Sequence, residues 1–425
     1  METPLARRQT GIISVAVIVA ALGYFVDIYD LLLFSIIRVP SLHDIGAAAG
    51  LSGAALDEMI KIDGERVISW QMYGLLIGGI IWGVLGDKKG RLSVLFGSIL
   101  LYSLANIANG FVTTTDQYAL VRFIAGLGLA GELGAGITLV SELTPKEKRG
   151  LATSMVAGIG LTGAVVAFIM KENFGWRTCY FIGGGLGFAL LVLRISVFES
   201  GMYEQVKQQA HVRKGDLLMF FRNKERFRRY LLSILIGLPT WYVIGVLVTF
   251  SKEFGRAFGI ADPIDSGQAI MYAYTAISIG DILIGVVSQL LRSRKKALYI
   301  FYFITAVFVT LFFTALWRGS ASAMYWVCAG MGFGTGFWAI FVTMGAEQFG
   351  TNLRATAATT IPNMVRGLLP LIIVLFKFLR ERTDYITGGW ITGIIVMVIA
   401  VVAALLIKET FHKDLNYVEV EEMYP

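Results

Sequence analysis

The chain has 425 residues, 56% of them hydrophobic and only 16% charged, with a mean hydropathy of +0.68, whereas ordinary soluble domains carry about 25% charge. That composition excludes a water-soluble globule and makes a lipid bilayer the solvent. The formal charge of +7 fits basic loops on one side of a membrane and argues against nucleic acid as a partner; Cys179 and Cys328, both in or beside apolar runs, offer neither a disulfide framework nor a metal site.

A transmembrane helix needs roughly 20 apolar residues, and such runs recur along the chain. Six predicted spans cover residues 11–37, 67–86, 92–111, 117–141, 151–170 and 176–198. The first follows METPLARRQT without a small-residue cleavage pattern, so it reads as a retained helix and not as a signal peptide. Six more cover 230–250, 266–291, 297–317, 321–346, 355–378 and 386–407. Residues 199–229 form the one long polar insert between spans. They divide the chain into an N-terminal bundle, 1–198, a linker, 199–229, and a C-terminal bundle with a short tail, 230–425. The side shared by the linker and both termini holds more than twice as many Lys and Arg as the other, which places both termini in the cytoplasm.

An internal repeat supports two halves. The run Ile77-Gly78-Gly79-Ile80-Ile81-Trp82-Gly83-Val84 aligns without gaps to Ile279-Gly280-Asp281-Ile282-Leu283-Ile284-Gly285-Val286, and Glu142 to Arg149 repeats the spacing of Glu347 to Arg354. The expected fold is therefore an all-α integral membrane protein, twelve transmembrane helices in two pseudo-symmetric six-helix bundles, with a substrate site at their interface near the midplane.

Several motifs carry a family resemblance. The turn from Gly83 through Asp87 to Gly90 and Arg91 resembles the signature loop between the second and third helices of the major facilitator superfamily. Its physics is plain: an acid caps a helix end, bases face the cytoplasm and glycines allow a tight turn. Arg122-Phe123-Ile124-Ala125-Gly126 through Glu132 resembles the fourth helix of proton-coupled porters. Glu142-Leu143-Thr144-Pro145 to Arg149-Gly150 is similar to sugar, phosphate and organic-ion members, as are Gly175-Trp176-Arg177 and Phe198-Glu199-Ser200 around the sixth span. Glu347 to Arg354 and Arg366-Gly367 resemble organic-ion and metabolite:proton porters, although Gly350 stands where proline is usual. Asp27-Ile28-Tyr29-Asp30 is similar to phosphate and aromatic-acid porters, and Thr240-Trp241-Tyr242 to phosphate carriers, but Gly245 occupies the place of their acid. The fifth span lacks the Gly-Pro pattern of drug antiporters. The resemblance implies alternating access of two halves, gated by Gly83, Asp87, Gly90, Arg91, Glu142, Arg149, Glu347 and Arg354, in the inner membrane of a bacterium.

A charge at the centre of a span costs roughly 2.5–3.5 kcal/mol on insertion scales, so such residues face a cavity or a partner. Here they are Asp27, Asp30, Arg122, Glu132, Asp281 and Arg366; Arg194, near a span end, is expected to snorkel to the surface. No histidine lies in a span, so any coupled proton must ride on a carboxylate. Asp27 and Asp30 share a helix face at the depth of Arg122. One is expected to be held by the arginine and the other to titrate, the alternative being a permanent lock between first and fourth spans. Glu132 is a proton group or part of a packing network. Arg366, flanked by Pro362 and Pro370 about 17 Å along its span, either anchors a substrate anion through its fork or pairs with Asp281. Asn363 and the aromatics Tyr24, Tyr29, Trp241, Tyr242 and Trp338 are further candidate lining residues. The resulting expectation is a monomeric proton-coupled symporter of a small organic anion, with protons, that small-molecule substrate and the bilayer as partners. A uniporter or cation carrier is the alternative and a non-transporting receptor a distant one. No metal or cofactor is expected, and no nucleophile or metal motif in a span suggests an enzyme.

Overall fold

With no water inside a bilayer, each spanning segment must close its own backbone hydrogen bonds, and all regular structure among the described residues is helical. The computed structural model describes residues 15–89, 91–132, 156–197, 218–314 and 320–411, with Lys413 and Glu419. In chain order the helices are α1 (Val15–Ala48), α2 (Gly53–Lys89), α3 (Arg91–Asn109), α4 (Thr115–Leu129), α5 (Val156–Asn173) and α6 (Trp176–Val197). Then come α7 (Lys224–Val248), α8 (Ser266–Leu291), α9 (Arg294–Phe313), α10 (Ala321–Glu347), α11 (Thr351–Gly367 with Leu369–Arg380) and α12 (Tyr385–Leu406). Ten of them are long and apolar enough to cross a membrane; α3 contributes a shorter apolar stretch, Val94–Asn109, and α4 is described only to its end at Leu129. Most of the predicted linker lies outside the described residues, as does the stretch after α4.

Side chains that accept backbone N–H groups set the helix starts. Thr114 caps α4, Asp265 α8, Ser293 α9, Ser320 α10 and Asp384 α12, each satisfying donors that the first turn leaves orphaned. Helix α8 ends where Arg292 turns left-handed at φ 49°. Three helices are interrupted. In α7 a proline-led turn, Leu238–Tyr242, runs into a π-helical stretch, Val243–Val248; α10 divides into Ala321–Thr335 and Trp338–Glu347; α11 divides into Thr351–Gly367 and Leu369–Arg380. Irregular backbone at such depth is tolerated where it is packed in protein or lines a cavity, and the three breaks fall beside Trp241, Trp338 and Arg366.

Helix α2 packs on α4 and α8 on α10, the same pairing in both parts of the repeat. Lipid gives helices no hydrophobic reason to associate, so small residues must let backbones meet. A Cβ on Gly78 would stand 2.5 Å from the Leu127 carbonyl, and one on its repeat counterpart Gly280 would stand 2.6 Å from the Phe333 carbonyl. The first six helices meet the last six through α2 on α11 and through α1 and α5 on α8. At the end nearest the α1–α2 turn, ion pairs stitch these contacts: Arg38 to Glu253 at 2.7 Å, Arg380 to Glu65, Lys171 to Asp265 and Arg256 to Asp57.

These contacts generate a packing prediction. A Cβ on Gly126 would lie 2.2 Å from the Gln71 carbonyl, whereas one on Gly185 meets open space. Gly126→Ala is expected to lower the melting temperature of the detergent-purified protein, by the equivalent of about 1–3 kcal/mol for overpacking, while Gly185→Ala leaves it unchanged. Equal melting of the two variants would contradict the packing.

Candidate functional site

Four buried charged groups on α1, α4 and α6 are tied into two networks. Arg122 of α4 donates to Asp30 Oδ1 at 2.9 Å and to the Asp30 carbonyl at 3.0 Å, and further to Asn106 at 3.2 Å and Gln71 at 3.3 Å. Its guanidinium also faces the Tyr180 ring at 5.6 Å. Every group in this network is fully buried, so the arginine's charge is answered inside the protein. Glu132, just past α4, forms a two-pronged ion pair with Arg194 of α6, one prong at 3.0 Å. Arg194 therefore does not snorkel: it is 2% exposed and held by the carboxylate. Gly23 makes room for this pair, since a Cβ there would lie 2.2 Å from Arg194 Nη2.

The remaining charges are not committed in this way. Neither carboxylate oxygen of Asp27 has a hydrogen-bond partner among the described residues. The arginine whose charge bears most strongly on it is Arg366, on the opposite set of helices. Arg366 has no carboxylate within 4 Å among the described residues; its contact is Asn363 Oδ1 at 3.5 Å. Two features compensate for the burial of its charge. It sits in the last turn of Thr351–Gly367, where the helix carbonyls favour a cation. It also faces the indoles of Trp241 at 5.9 Å and Trp338 at 5.6 Å. These two rings meet edge to face at 6.5 Å. Asn363 reaches across to the Ala130 carbonyl at 2.8 Å, at the point where α4 ends, through a gap that Gly79 leaves open.

The indole N–H groups of Trp241 and Trp338, Arg366 Nε and the Thr240 hydroxyl are buried, like Asp27, and lack partners among the described residues. Tyr24 and Tyr274 belong to the same neighbourhood, because the Arg366 charge acts on both. Sequence reasoning offered Tyr24 as a possible lining aromatic and met Thr240 only through its motif with Trp241 and Tyr242, but passed over Tyr274, which has no signal beyond being polar in a span.

Other predicted site residues stand elsewhere. The Tyr29 hydroxyl donates to the Cys179 carbonyl at 3.0 Å on α6, and Tyr242 donates to the Gly389 carbonyl at 2.7 Å on α12. Asp281 accepts the Ala339 N–H at 2.8 Å and forms no ion pair with Arg366. Of the predicted gating residues, Glu347 meets Arg294 at 3.3 Å and the Thr410 hydroxyl at 2.6 Å, Arg354 donates to the Phe349 carbonyl at 3.3 Å, and Gly83 lies against Thr360. Gly90, Glu142 and Arg149 lie outside the described residues, as do the side chains of Asp87 and Arg91. A cavity of about 330 Å³ opens at the ion-paired end and is lined by Asp57, Lys61, Lys252 and Arg256 among others; it contains none of the predicted site residues.

Apolar helices of spanning length, locked by internal ion pairs and gathered around a few uncommitted buried charges, define a multi-pass membrane transport protein. The Major Facilitator Superfamily model matches residues 13–374, and the chain belongs to that family. It is therefore a secondary active transporter and not an enzyme. The chain is 25% identical to the niacin transporter of Acinetobacter baylyi over 433 residues, covering 94% of each chain. It is 34% identical to the 4-hydroxybenzoate transporter of Pseudomonas putida over 171 residues, covering 38% of each. Among solved structures it is similar in fold to the proton:xylose symporter XylE, with a TM-score of 0.66 at 15% identity, covering 94% of this chain and 97% of that one.

The Glu132–Arg194 pair yields a stability prediction. Removing one member of a buried pair leaves a bare charge and costs about 3–5 kcal/mol, whereas an apolar replacement of both is often nearly neutral. Glu132→Ala is thus expected to melt far earlier than wild type, and Glu132→Leu with Arg194→Met to recover most of the loss. A double variant as unstable as the single one would show that the pair is not what Glu132 supplies.

Proposed function

We propose that the chain is a monomeric proton-coupled symporter for a small aromatic or conjugated carboxylate. In this reading twelve spans form two six-helix bundles, 1–198 and 230–425, joined by a cytoplasmic linker at 199–229. Both termini face the cytoplasm of a bacterium, and the two bundles alternate access around Arg366. The observation that carries it is the cluster of unmatched donors around one unpaired cation. Arg366 Nε and the indole N–H groups of Trp241 and Trp338 have no acceptor among the described residues, and unmatched buried donors cost about 1–3 kcal/mol each.

A carboxylate supplies acceptors and a countercharge together, and the two indoles present flat apolar faces to a ring. The relatives named for niacin and 4-hydroxybenzoate carry aromatic acids of this description. Asp27 supports proton coupling: Asp30 is committed to Arg122 and Glu132 to Arg194, whereas Asp27 has no hydrogen-bond partner among the described residues and lies in the field of Arg366. An anion arriving at Arg366 changes that field, and a proton on Asp27 balances it. The packing of α2 on α4 and of α8 on α10 supports the division into two bundles, and the ion pairs among Arg38, Glu253, Arg380 and Glu65 fit a closed periplasmic gate.

Proteoliposomes loaded at alkaline pH and diluted into acidic buffer test the coupling. Labelled benzoate should accumulate above equilibrium through the wild type; mere equilibration would indicate a uniporter. Arg366→Lys keeps the charge without the fork and should weaken binding, and Arg366→Ala should weaken it by about 1.5–3 kcal/mol for one lost charged contact. Unchanged affinity in folded Arg366→Ala would assign the arginine to the scaffold.

A second expectation separates Asp27 from Asp30. Asp27→Asn should abolish accumulation yet keep counterflow exchange of benzoate between equilibrated compartments, since exchange needs the site but not the proton. Accumulation that survives in Asp27→Asn would move the coupling to another carboxylate.

A further inference from the structure

Helix α10 is interrupted just where it approaches Arg366. Gly336 and Phe337 leave helical geometry, at φ −72°, ψ 52° and φ −117°, ψ 13°, and a new helix, Trp338–Glu347, starts beyond them. The first N–H groups of such a helix have no intrahelical partner, and no side chain of α10 itself caps them. The acceptor comes from α8. Asp281 Oδ1 takes the Ala339 N–H at 2.8 Å.

Close backbone contact delivers it there. A Cβ on Gly336 would lie 2.8 Å from Gly280 Cα and 2.9 Å from the Asp281 nitrogen, so α8 and α10 touch at the residues flanking the bond. Asp281 is 1% exposed and makes no ion pair with Arg366. The repeat shows that the carboxylate is specific to this half. Its aligned counterpart in α2 is Gly79, which admits Asn363 instead.

We propose that Asp281 is a positioning residue of the transport site: by capping the second segment of α10 it holds the Trp338 indole against Arg366. The proposal rests on the reading of Arg366 and Trp338 as that site. Trp338 is the first residue of the capped segment and adjoins the residue that Asp281 bonds. Its ring is fixed between Phe341 at 5.0 Å and Trp241 at 6.5 Å. Without the cap the first turn frays, and the indole loses its fixed distance from the guanidinium. Asp281 then governs how well a ring-bearing anion is held without touching it, and a shift of α8 against α10 is transmitted to the site.

Hydrogen exchange on the purified, substrate-free protein tests the cap directly. Peptides covering residues 336–343 should exchange faster in Asp281→Ala and as slowly as wild type in Asp281→Asn, whose amide oxygen replaces the acceptor. In transport, Asp281→Ala should raise KM for benzoate roughly ten- to a hundredfold, the range expected for one hydrogen bond to a charged group, with a smaller change in maximal rate. Asp281→Asn should restore it. In a Trp338→Phe background, Asp281→Ala should add little, because both changes act through one ring. Unchanged exchange in folded Asp281→Ala would overturn the cap, and full additivity with Trp338→Phe would overturn the route through the indole. Should Asp281→Ala not fold, Asp281→Asn decides: faster exchange at 336–343, or lost accumulation with normal exchange, defeats the proposal. If the wild type moves no benzoate, the carboxylate reading fails, while the exchange result still judges the cap.

Discussion

Inside a bilayer a buried charge has no water to fall back on, so every ionised group must be answered by another protein group or by something that enters. In this chain Asp30 is answered by Arg122 and Glu132 by Arg194, each with further hydrogen bonds or close packing around it. These pairs fasten α1, α4 and α6 to one another. With them satisfied, attention falls on the groups that are not: Asp27 on one set of helices and Arg366 on the other. Both locks lie within the first set of helices, so neither one ties Asp27 to Arg366.

The same constraint explains where the helices break. Arg366 is stabilised by the carbonyl end of one segment of α11 and by two indole faces, and each of those indoles sits at or beside a break in its own helix. Broken helices turn backbone dipoles toward the interior, where a straight helix would present only side chains. The polar ends so exposed are satisfied by neighbours from another helix: Asn363 donates to the Ala130 carbonyl at the end of α4, and Asp281 accepts from Ala339 at the restart of α10. The proposed site is thus assembled from helix ends, and its shape depends on partners several helices away.

The two parts of the repeat obey one packing rule and then diverge at a single step. Gly78 and Gly280 bring α2 onto α4 and α8 onto α10 by the same backbone approach. The next residue is Gly79 in one and Asp281 in the other. The smaller residue lets α11 approach α2 across the interface, and the larger caps α10 within its own set. An approximate duplication thereby becomes asymmetric around the proposed site, with its aromatic and cationic groups on α7, α10 and α11 and its uncommitted carboxylate on α1.

Much of the architecture was legible in the sequence, because spans are set by local properties: length, apolarity and capping. The predicted span at 266–291 coincides with α8, since Asp265 and Arg292 bound it. The rarity of charge in apolar runs also picked out Asp27, Arg122 and Arg366 unaided. Pairing was legible only in part: Arg122 was expected to hold one of Asp27 and Asp30, and it holds Asp30, but the sequence did not say which. Asp27 and Asp30 are three residues apart on one face, yet one faces Arg122 and the other lies toward Arg366, a choice made by which helices pack on either side of α1. Arg194 looked able to reach the surface until α4 and α1 enclosed it with Glu132. Tyr29 and Tyr242 resemble site aromatics in sequence, but their hydroxyls are claimed by the carbonyls of Cys179 and Gly389. Two of the cross-set ion pairs, Arg38 with Glu253 and Arg380 with Glu65, join residues more than 200 positions apart. The sequence by itself determined what must be buried in the membrane and which residues are costly there; only the tertiary structure decided which of those costs are met within the protein, because a partner's identity depends on helix contacts that no local pattern encodes.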